Sequence, residues 1–327
     1  MRIGAHQSVA GGHHNAFALA EEDGCEAIQV FTKNASQWKE PTIAPEQRDR
    51  FKEARAASRL GSAPILCHDS YLINLCSNDE PLRTRSREAL VHEALRCEEL
   101  GIDHVVLHPG AHVGAGAEAG VARAAENLAW VLERTRGANV SLLVENTAGQ
   151  GSVVAARFEE LGAILRGAEE LAGGDARARL GTCIDTCHCF AAGYDLSTKE
   201  GFDAAWAELD RHVGVSRIKA MHLNDSQKGL GCRVDRHERV GEGALGVYAF
   251  WRLMNDPALA HVVGVLETPS RDEEDAPAAK RAFRDQLEAM RAMVGAPAPA
   301  PVAPAAAFAL QVQEPAKPKK RGKRPAG

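Results

Sequence analysis

The sequence contains no run of 18 apolar residues, which excludes an ordinary membrane-spanning helix. Its first residues, MRIGAHQSVAGG, lack the apolar stretch behind a basic start that marks a secretory signal peptide. No GxGxxG follows the first β-rich run, so a dinucleotide-binding reading has no fingerprint. Cysteine is too sparse for a disulfide framework, with eight in 327 residues. A cytoplasmic chain with reduced thiols and no membrane association is expected. Positive charge is scarce in the body of the chain. The net charge is −5, yet residues 296–327 carry six Lys/Arg against one Glu, which leaves −10 on residues 1–295. An acidic body is a poor partner for nucleic acid unless bound cations change its local field.

What is present is an ordinary globular composition, 45% hydrophobic and 25% charged, long enough for a core that folds without disulfides or a structural metal. Short β-rich runs at 2–6, 27–32, 64–69, 104–109, 140–146, 180–185, 217–224 and 262–268 alternate with helix-like stretches. Those stretches lie around 15–23, 45–60, 80–101, 118–136, 157–172, 200–213, 247–256 and 273–293. Several of the short runs are nearly continuous apolar segments, as parallel strands buried on both faces are. REALVHEALRCEELG has helical periodicity and stops at Gly101, a C-terminal cap signal. Eight strands alternating with eight helices predict a (β/α)8 TIM barrel over residues 1–295, with an open doubly wound sheet as the alternative. Beyond Gly295 the chain turns to Pro/Ala repetition and ends KPKKRGKRPAG. Residues 296–327 are therefore expected to form a disordered basic tail, either simply solvated or loosely tethered to phosphates.

The informative feature is what stands at the strand ends. The third to eighth runs finish on His68, His108, Glu145, Asp185, His222 and Glu267 in turn. Any one has a bland explanation: a hydrogen-bonded structural histidine, or a carboxylate capping the next helix. Six together, at the barrel face where active sites form, would sit desolvated and mutually repelling without partners, and bound cations relieve both. The loops add His188, three residues after Asp185, and Asp235 with His237, one residue apart on one side of an extended segment. Five histidines and four carboxylates favour zinc over manganese or iron, and nine ligands suit two or three ions rather than one. Cys183, Cys187 and Cys189 could act as thiolate ligands. Asp185 and His188 already fill that role in the loop, so Cys183 is expected to pack and Cys187 and Cys189 to flank His188. Cys25, Cys67, Cys76 and Cys97 read as reduced core thiols.

The segments HDSYLINL (68–75), GTCIDTCH (181–188) and MHLNDSQKGLGCRVDRH (221–237) closely resemble three signatures of the endonuclease IV family. GAHQSVAGG (4–12), FTKNASQW (31–38), HPGAH (108–112), VENTAGQG (144–151) and GEG (241–243) agree with it, so the similarity runs from residue 3 to about 290. The resemblance implies a barrel with three zinc ions, with manganese possible at one site. His68 and His108 would hold the first, with Glu145 bridging to the second. Asp185, His222 and Glu267 would complete the second. His188, Asp235 and His237 would hold the third. It implies hydrolysis of duplex DNA on the 5′ side of an abasic site, leaving a 3′-hydroxyl and a 5′-deoxyribose phosphate, and removal of damaged 3′ ends. Glu145 would position and deprotonate the attacking water. Tyr71 and Leu72 match positions that insert into the DNA, a wedge that offsets unstacking. Asn34, Gln37 and Trp38 lie in the matching strand-two loop, whose role is DNA contact. His6 and Arg233 are expected to contact DNA as well, Arg233 at a phosphate. Ser36 stands where some members carry Arg, Cys76 and Cys232 replace residues that are usually small, and Gln227 replaces a common Lys. A monomer associated with the nucleoid, with no obligate protein partner, is the simplest expectation.

Two other readings compete. A sugar isomerase of the xylose-isomerase type uses the same barrel and similar ligands, but needs at most two divalent ions and has no use for DTCH and DxH as a third site. A non-catalytic zinc-containing DNA-binding protein would be expected to have lost at least one of the nine ligands.

Overall fold

The computed structural model describes residues 1–268 and 283–300. Eight strands close into a barrel in which every neighbouring pair is parallel. They are β1 (Arg2–His6), β2 (Ile28–Val30), β3 (Ile65–His68), β4 (His104–Leu107), β5 (Ser141–Glu145), β6 (Leu180–Asp185), β7 (Ile218–His222) and β10 (Val263–Leu266), and β10 pairs with both β7 and β1. Around them lie α1 (Asn15–Asp23), α2 (Pro45–Ala57), α3 (Glu80–Leu100), α4 (Ala117–Arg134), α5 (Phe158–Ala172), α8 (Lys199–His212), α9 (Val247–Met254) and α10 (Arg284–Ala292). The predicted (β/α)8 barrel is thus the observed fold, and the open sheet is excluded by the β1–β10 pairing. The expected helix at 273–293 falls partly outside the described residues, and so does the expected disordered tail from residue 301 onward. No helix among the described residues is long and apolar enough to cross a membrane.

Local sequence fixes the element ends. Asp79 caps α3 by accepting a hydrogen bond from the Leu82 amide, and Pro81 stands in the first turn where its missing N–H costs nothing. Gly101 closes the same helix at φ +75°, the left-handed conformation that glycine adopts without strain. Three elements go beyond the sequence expectation: α6 (Ala176–Arg179), α7 (Thr186–Ala192) and a hairpin of β8 (Asp225–Ser226) with β9 (His237–Glu238). The segment after Asp185, expected to open a loop, starts a helix because the Asp185 carboxylate caps it, accepting from the His188 amide at 2.7 Å.

The barrel interior explains how the site is placed. Side chains two residues apart on a strand point the same way, so the inward face of each strand is a ladder of alternate residues. Ala27, Leu66, Val106, Leu143, Cys183, Ala220, Val263 and Val265 form one buried apolar cluster. Two residues further toward the C-terminal end stand Gln29, His68, His108, Glu145, Asp185, His222 and Glu267. His6 ends β1 at the same level, paired in register with Gln29. An apolar floor therefore underlies a polar ring to which every strand contributes. A larger apolar shell, including Phe51, Phe158, Phe202 and Phe250, lies between strands and helices. Each of its fully buried large side chains contributes roughly 1.5–3 kcal/mol.

Candidate metal centre

The ring side chains converge on Glu145, which is 1% exposed. His68 Nε2 and His108 Nε2 approach its Oε2 at 3.4 and 3.1 Å. His222 Nδ1 and His188 Nδ1 approach its Oε1 at 2.9 and 3.3 Å. His222 Nδ1 also lies 3.2 Å from Glu267 Oε2 and 3.8 Å from Asp185 Oδ2. On the far side, Asp235 sits 3.2 Å from His188 Nε2 and 3.1 Å from His237 Nε2, and the latter is 3.6 Å from Asp185. All nine side chains singled out as ligands thus meet in one mouth, and seven of them fall into three groups. His68, His108 and Glu145 form the first, Glu145, Asp185 and His222 the second, and Asp185, His188 and His237 the third; in each the candidate ligand atoms lie within 4.8 Å of one another. Cys187 stands within the same reach of Asp235 and His237. Cys183 packs in the apolar floor and Cys189 in the outer core.

Histidine orientation is set from behind. His68 Nδ1 faces the Asp69 carbonyl at 2.8 Å, His188 Nδ1 the Asn146 carbonyl at 2.9 Å, and His237 Nδ1 the Glu267 carbonyl at 3.3 Å. A carbonyl only accepts, so each Nδ1 carries the proton and each Nε2 lone pair is turned into the mouth. Two side-chain amides brace the segments that carry Asp185 and Glu267. Asn224 donates to Asp185 Oδ2 at 2.7 Å and accepts from the Glu267 amide at 2.8 Å, while Asn146 accepts from the Asp185 amide at 2.7 Å. Asp225 holds the loop beyond, accepting from the amides of Gly241, Gly243 and Leu245 at 2.9–3.1 Å. A Cβ on Gly243 would fall 2.4 Å from that carboxylate, so glycine is required there.

The electrostatics are those of a site built for cations. Burial by itself would raise the pKa of Glu145; His222 and His108 outweigh it and hold the carboxyl well below the usual range. Asp235 and Glu267 are likewise held low by their histidines against the effect of burial. Burial works against the charged form of His237 too, but Asp185 and Asp235 raise its pKa to about 9, so without an ion its Nε2 holds a proton that a bound cation would displace. Despite this crowding, His108 Nε2, Glu145 Oε2, His188 Nε2 and His237 Nε2 are buried with no hydrogen-bond partner among the described residues. Buried polar atoms are rarely left so. Four orphaned lone-pair atoms aimed at one space are what a cation-binding set requires, and the N/O donor chemistry fits zinc.

The other singled-out residues are spread over the rim. Tyr71 is 60% exposed, and its ring lies 5.4 Å from that of His68. Leu72 beside it is half-buried. Asn34 and Gln37 are exposed, and Asn34 Oδ1 is occupied within its own loop by the Ser36 amide at 2.9 Å. Arg233 is exposed at φ +55°, its amide donating to the Ala191 carbonyl at 2.9 Å. His6 closes the ring, 3.7 Å from Glu267. Sequence reasoning missed Gln29, Asn146 and Asn224. Counting two residues on from Ala27 would have found Gln29; nothing but adjacency to Glu145 and His222 marked the two asparagines.

A family model described as the xylose isomerase-like TIM barrel matches residues 17–293. The probable endonuclease 4 of Chloroflexus aurantiacus is 46% identical over 272 residues, which cover 83% of this chain and 93% of that protein. The chain belongs to the endonuclease IV family. The solved structure of endonuclease IV from Thermus thermophilus, 37% identical, matches with a TM-score of 0.72 and covers 88% of this chain and 100% of that one. A D-tagatose 3-epimerase-like protein, 18% identical, matches with a TM-score of 0.63 over 89% of this chain and 99% of its own. That likeness carries the barrel alone.

Proposed function

We propose that this member of the endonuclease IV family is an apurinic/apyrimidinic endonuclease that hydrolyses duplex DNA 5′ to an abasic site through a trinuclear zinc centre. The observation that carries this reading is the convergence of nine N/O ligands on one barrel mouth, with four buried donor atoms left orphaned. His68 and His108 would hold one ion with Glu145. Glu145, Asp185, His222 and Glu267 would hold the second, and His188, Asp235 and His237 the third. Ions bound there would supply Lewis acidity at the phosphate and a water acidic enough to attack at neutral pH.

The chain's own groups do the rest. Glu145, ionised, in contact with His222 through Oε1 and with Oε2 left without a hydrogen-bond partner among the described residues, would receive a proton from the attacking water. Asp185 and Glu267 are locked by Asn224, so the ring need not rearrange when substrate arrives, and preorganisation of this kind lowers the barrier. Tyr71, exposed beside the mouth with Leu72 next to it, would occupy the space left by an extruded nucleotide, while Arg233, Asn34 and Gln37 would contact the DNA backbone. The acidic body, unfavourable for DNA in general, becomes selective for a phosphate delivered to the mouth itself.

The test is incubation of zinc-loaded protein with a duplex carrying one abasic analogue. Incision on its 5′ side, leaving a 3′-hydroxyl, is expected. Glu145→Gln should still bind this duplex but cut it slower by at least ~10²-fold, the usual loss with an acid–base group. Intact duplex after incubation with protein of verified zinc content would overturn the proposal.

A further inference from the structure

All eight strands place a polar side chain in the ring above the apolar floor, and two of these, His6 and Gln29, belong to none of the ligand sets. Gln29 lies in the middle of β2, fully buried, where an apolar side chain would be the cheaper occupant unless its amide were bonded at both ends. It is. The amide nitrogen is 2.5 Å from Glu267 Oε1 and 3.1 Å from His6 Nδ1, and the amide oxygen is 2.9 Å from His222 Nε2.

Chemistry fixes which way this amide points. An ionised carboxylate only accepts, so the NH2 group must face Glu267, and the oxygen then faces His222 and can only accept. His222 Nε2 therefore carries the proton, which leaves Nδ1 bare in the neutral ring. Nδ1 is the atom turned toward Glu145, Glu267 and Asp185. The other way round is internally inconsistent: a flipped amide would set its oxygen against the Glu267 carboxylate and its NH2 against the ring.

His222 is also the exception among the histidines of the mouth. His68, His188 and His237 expose Nε2 and are braced at Nδ1 by backbone carbonyls. His222 exposes Nδ1, so its brace must come from the Nε2 side, across the barrel. There a side chain from β2 performs the task that backbone carbonyls perform for the other three.

We infer that Gln29 is a positioning residue for the second metal, one amide that sets the tautomer of His222 with its oxygen and the carboxylate orientation of Glu267 with its nitrogen. This rests on the zinc-centre reading above and goes beyond it by assigning a role to a strand that contributes no ligand.

The experiment uses the full chain loaded with zinc and dialysed against graded concentrations of a chelator, with zinc counted by elemental analysis. Gln29→Met, similar in volume and unable to bond either partner, should lose one zinc at roughly 10–100-fold lower chelator than the native protein, the usual effect of removing an outer partner. The other two ions should stay. Long-range proton–nitrogen NMR of the imidazoles supplies a readout that mere loosening would not move. Native His222 should show a protonated, slowly exchanging Nε2, and Gln29→Met should not. Gln29→Glu keeps the acceptor for Nε2–H but opposes Glu267 with a like charge. It should retain the native tautomer signal and still release zinc early, and it carries the test if Gln29→Met does not fold. Native chelator resistance in a folded Gln29→Met or in Gln29→Glu would overturn the inference while leaving the metal centre intact. Native protein that takes up no zinc would instead remove the centre, and this inference with it.

Discussion

Two layers of the barrel interior lie one step of the strand ladder apart, roughly 7 Å along the axis. Below are Leu66, Val106, Leu143, Cys183, Ala220 and Val265; above are His68, His108, Glu145, Asp185, His222 and Glu267. Each upper residue follows its lower one by two positions. The lower layer is held by apolar burial and needs no ligand. The upper layer, a ring of buried carboxylates and imidazoles, is uncompensated by the protein alone. The difference shows that the same strands can carry the stability of the fold and the chemistry of the site when each is confined to its own level.

That separation can be broken from either side. The largest effect is expected from stripping zinc with a chelator. Incision should vanish and return on adding zinc, while circular dichroism continues to report a folded barrel. Loss of the fold together with the metal would show that the layers are not independent. Next, Leu143→Ala empties the floor directly beneath Glu145. It should cost about 2–5 kcal/mol of unfolding free energy, as large-to-small core changes do, with the zinc count unchanged. Denaturant titration beside elemental analysis checks both halves.

A smaller effect comes from the opposite end of a neighbouring strand. His104, which opens β4, is held neutral by burial, with its pKa lowered from 6.5 to about 4. Below pH 6.5 the unfolded chain takes up a proton that the folded chain refuses, so stability falls as pH drops from 6.5 to about 4 and levels off below. At about 1.36 kcal/mol per pKa unit the loss reaches roughly 3 kcal/mol. Zinc-free His104→Leu should lack this part of the pH dependence in denaturant titrations, whereas a profile parallel to the native one would place the titrating group elsewhere. The smallest change in stability is expected at the rim. Tyr71→Ala should alter unfolding by no more than about 0.5 kcal/mol, because the ring is mostly exposed, yet weaken binding of an abasic duplex. Unchanged duplex affinity would remove the wedge role.

Much of this is legible in the sequence because the signals are short-range. Short β-rich runs, several of them nearly continuous in apolar residues, mark the eight strands, and Gly101 marks the end of α3. The strand-end residues point to the mouth because a parallel barrel brings all its C-terminal ends together. What is not legible depends on distant partners. Gln29 looks like one polar residue in an apolar run, and only closure of β1 onto β10 brings Glu267 and His222 to it. Asn224 braces Asp185 and Glu267, each on a different strand. The helix after Asp185 escapes a local reading because the carboxylate has two uses at once, capping α7 through Oδ1 while Oδ2 points to His222 and His237. The third group requires a hairpin whose strands are two residues long, too short to show a period, although Gly229 and Gly231 mark its turn.

That hairpin has a consequence for how such a site is held. His68, His108, Glu145, Asp185, His222 and Glu267 stand at the ends of barrel strands, but Asp235 and His237 arrive on a loop pinned by the single buried carboxylate of Asp225. The third group therefore draws on two sources, the end of β6 with α7 for Asp185 and His188, and the loop for Asp235 and His237. Loosening the Asp225 anchor would therefore disturb the two loop ligands while the six at the strand ends keep their places.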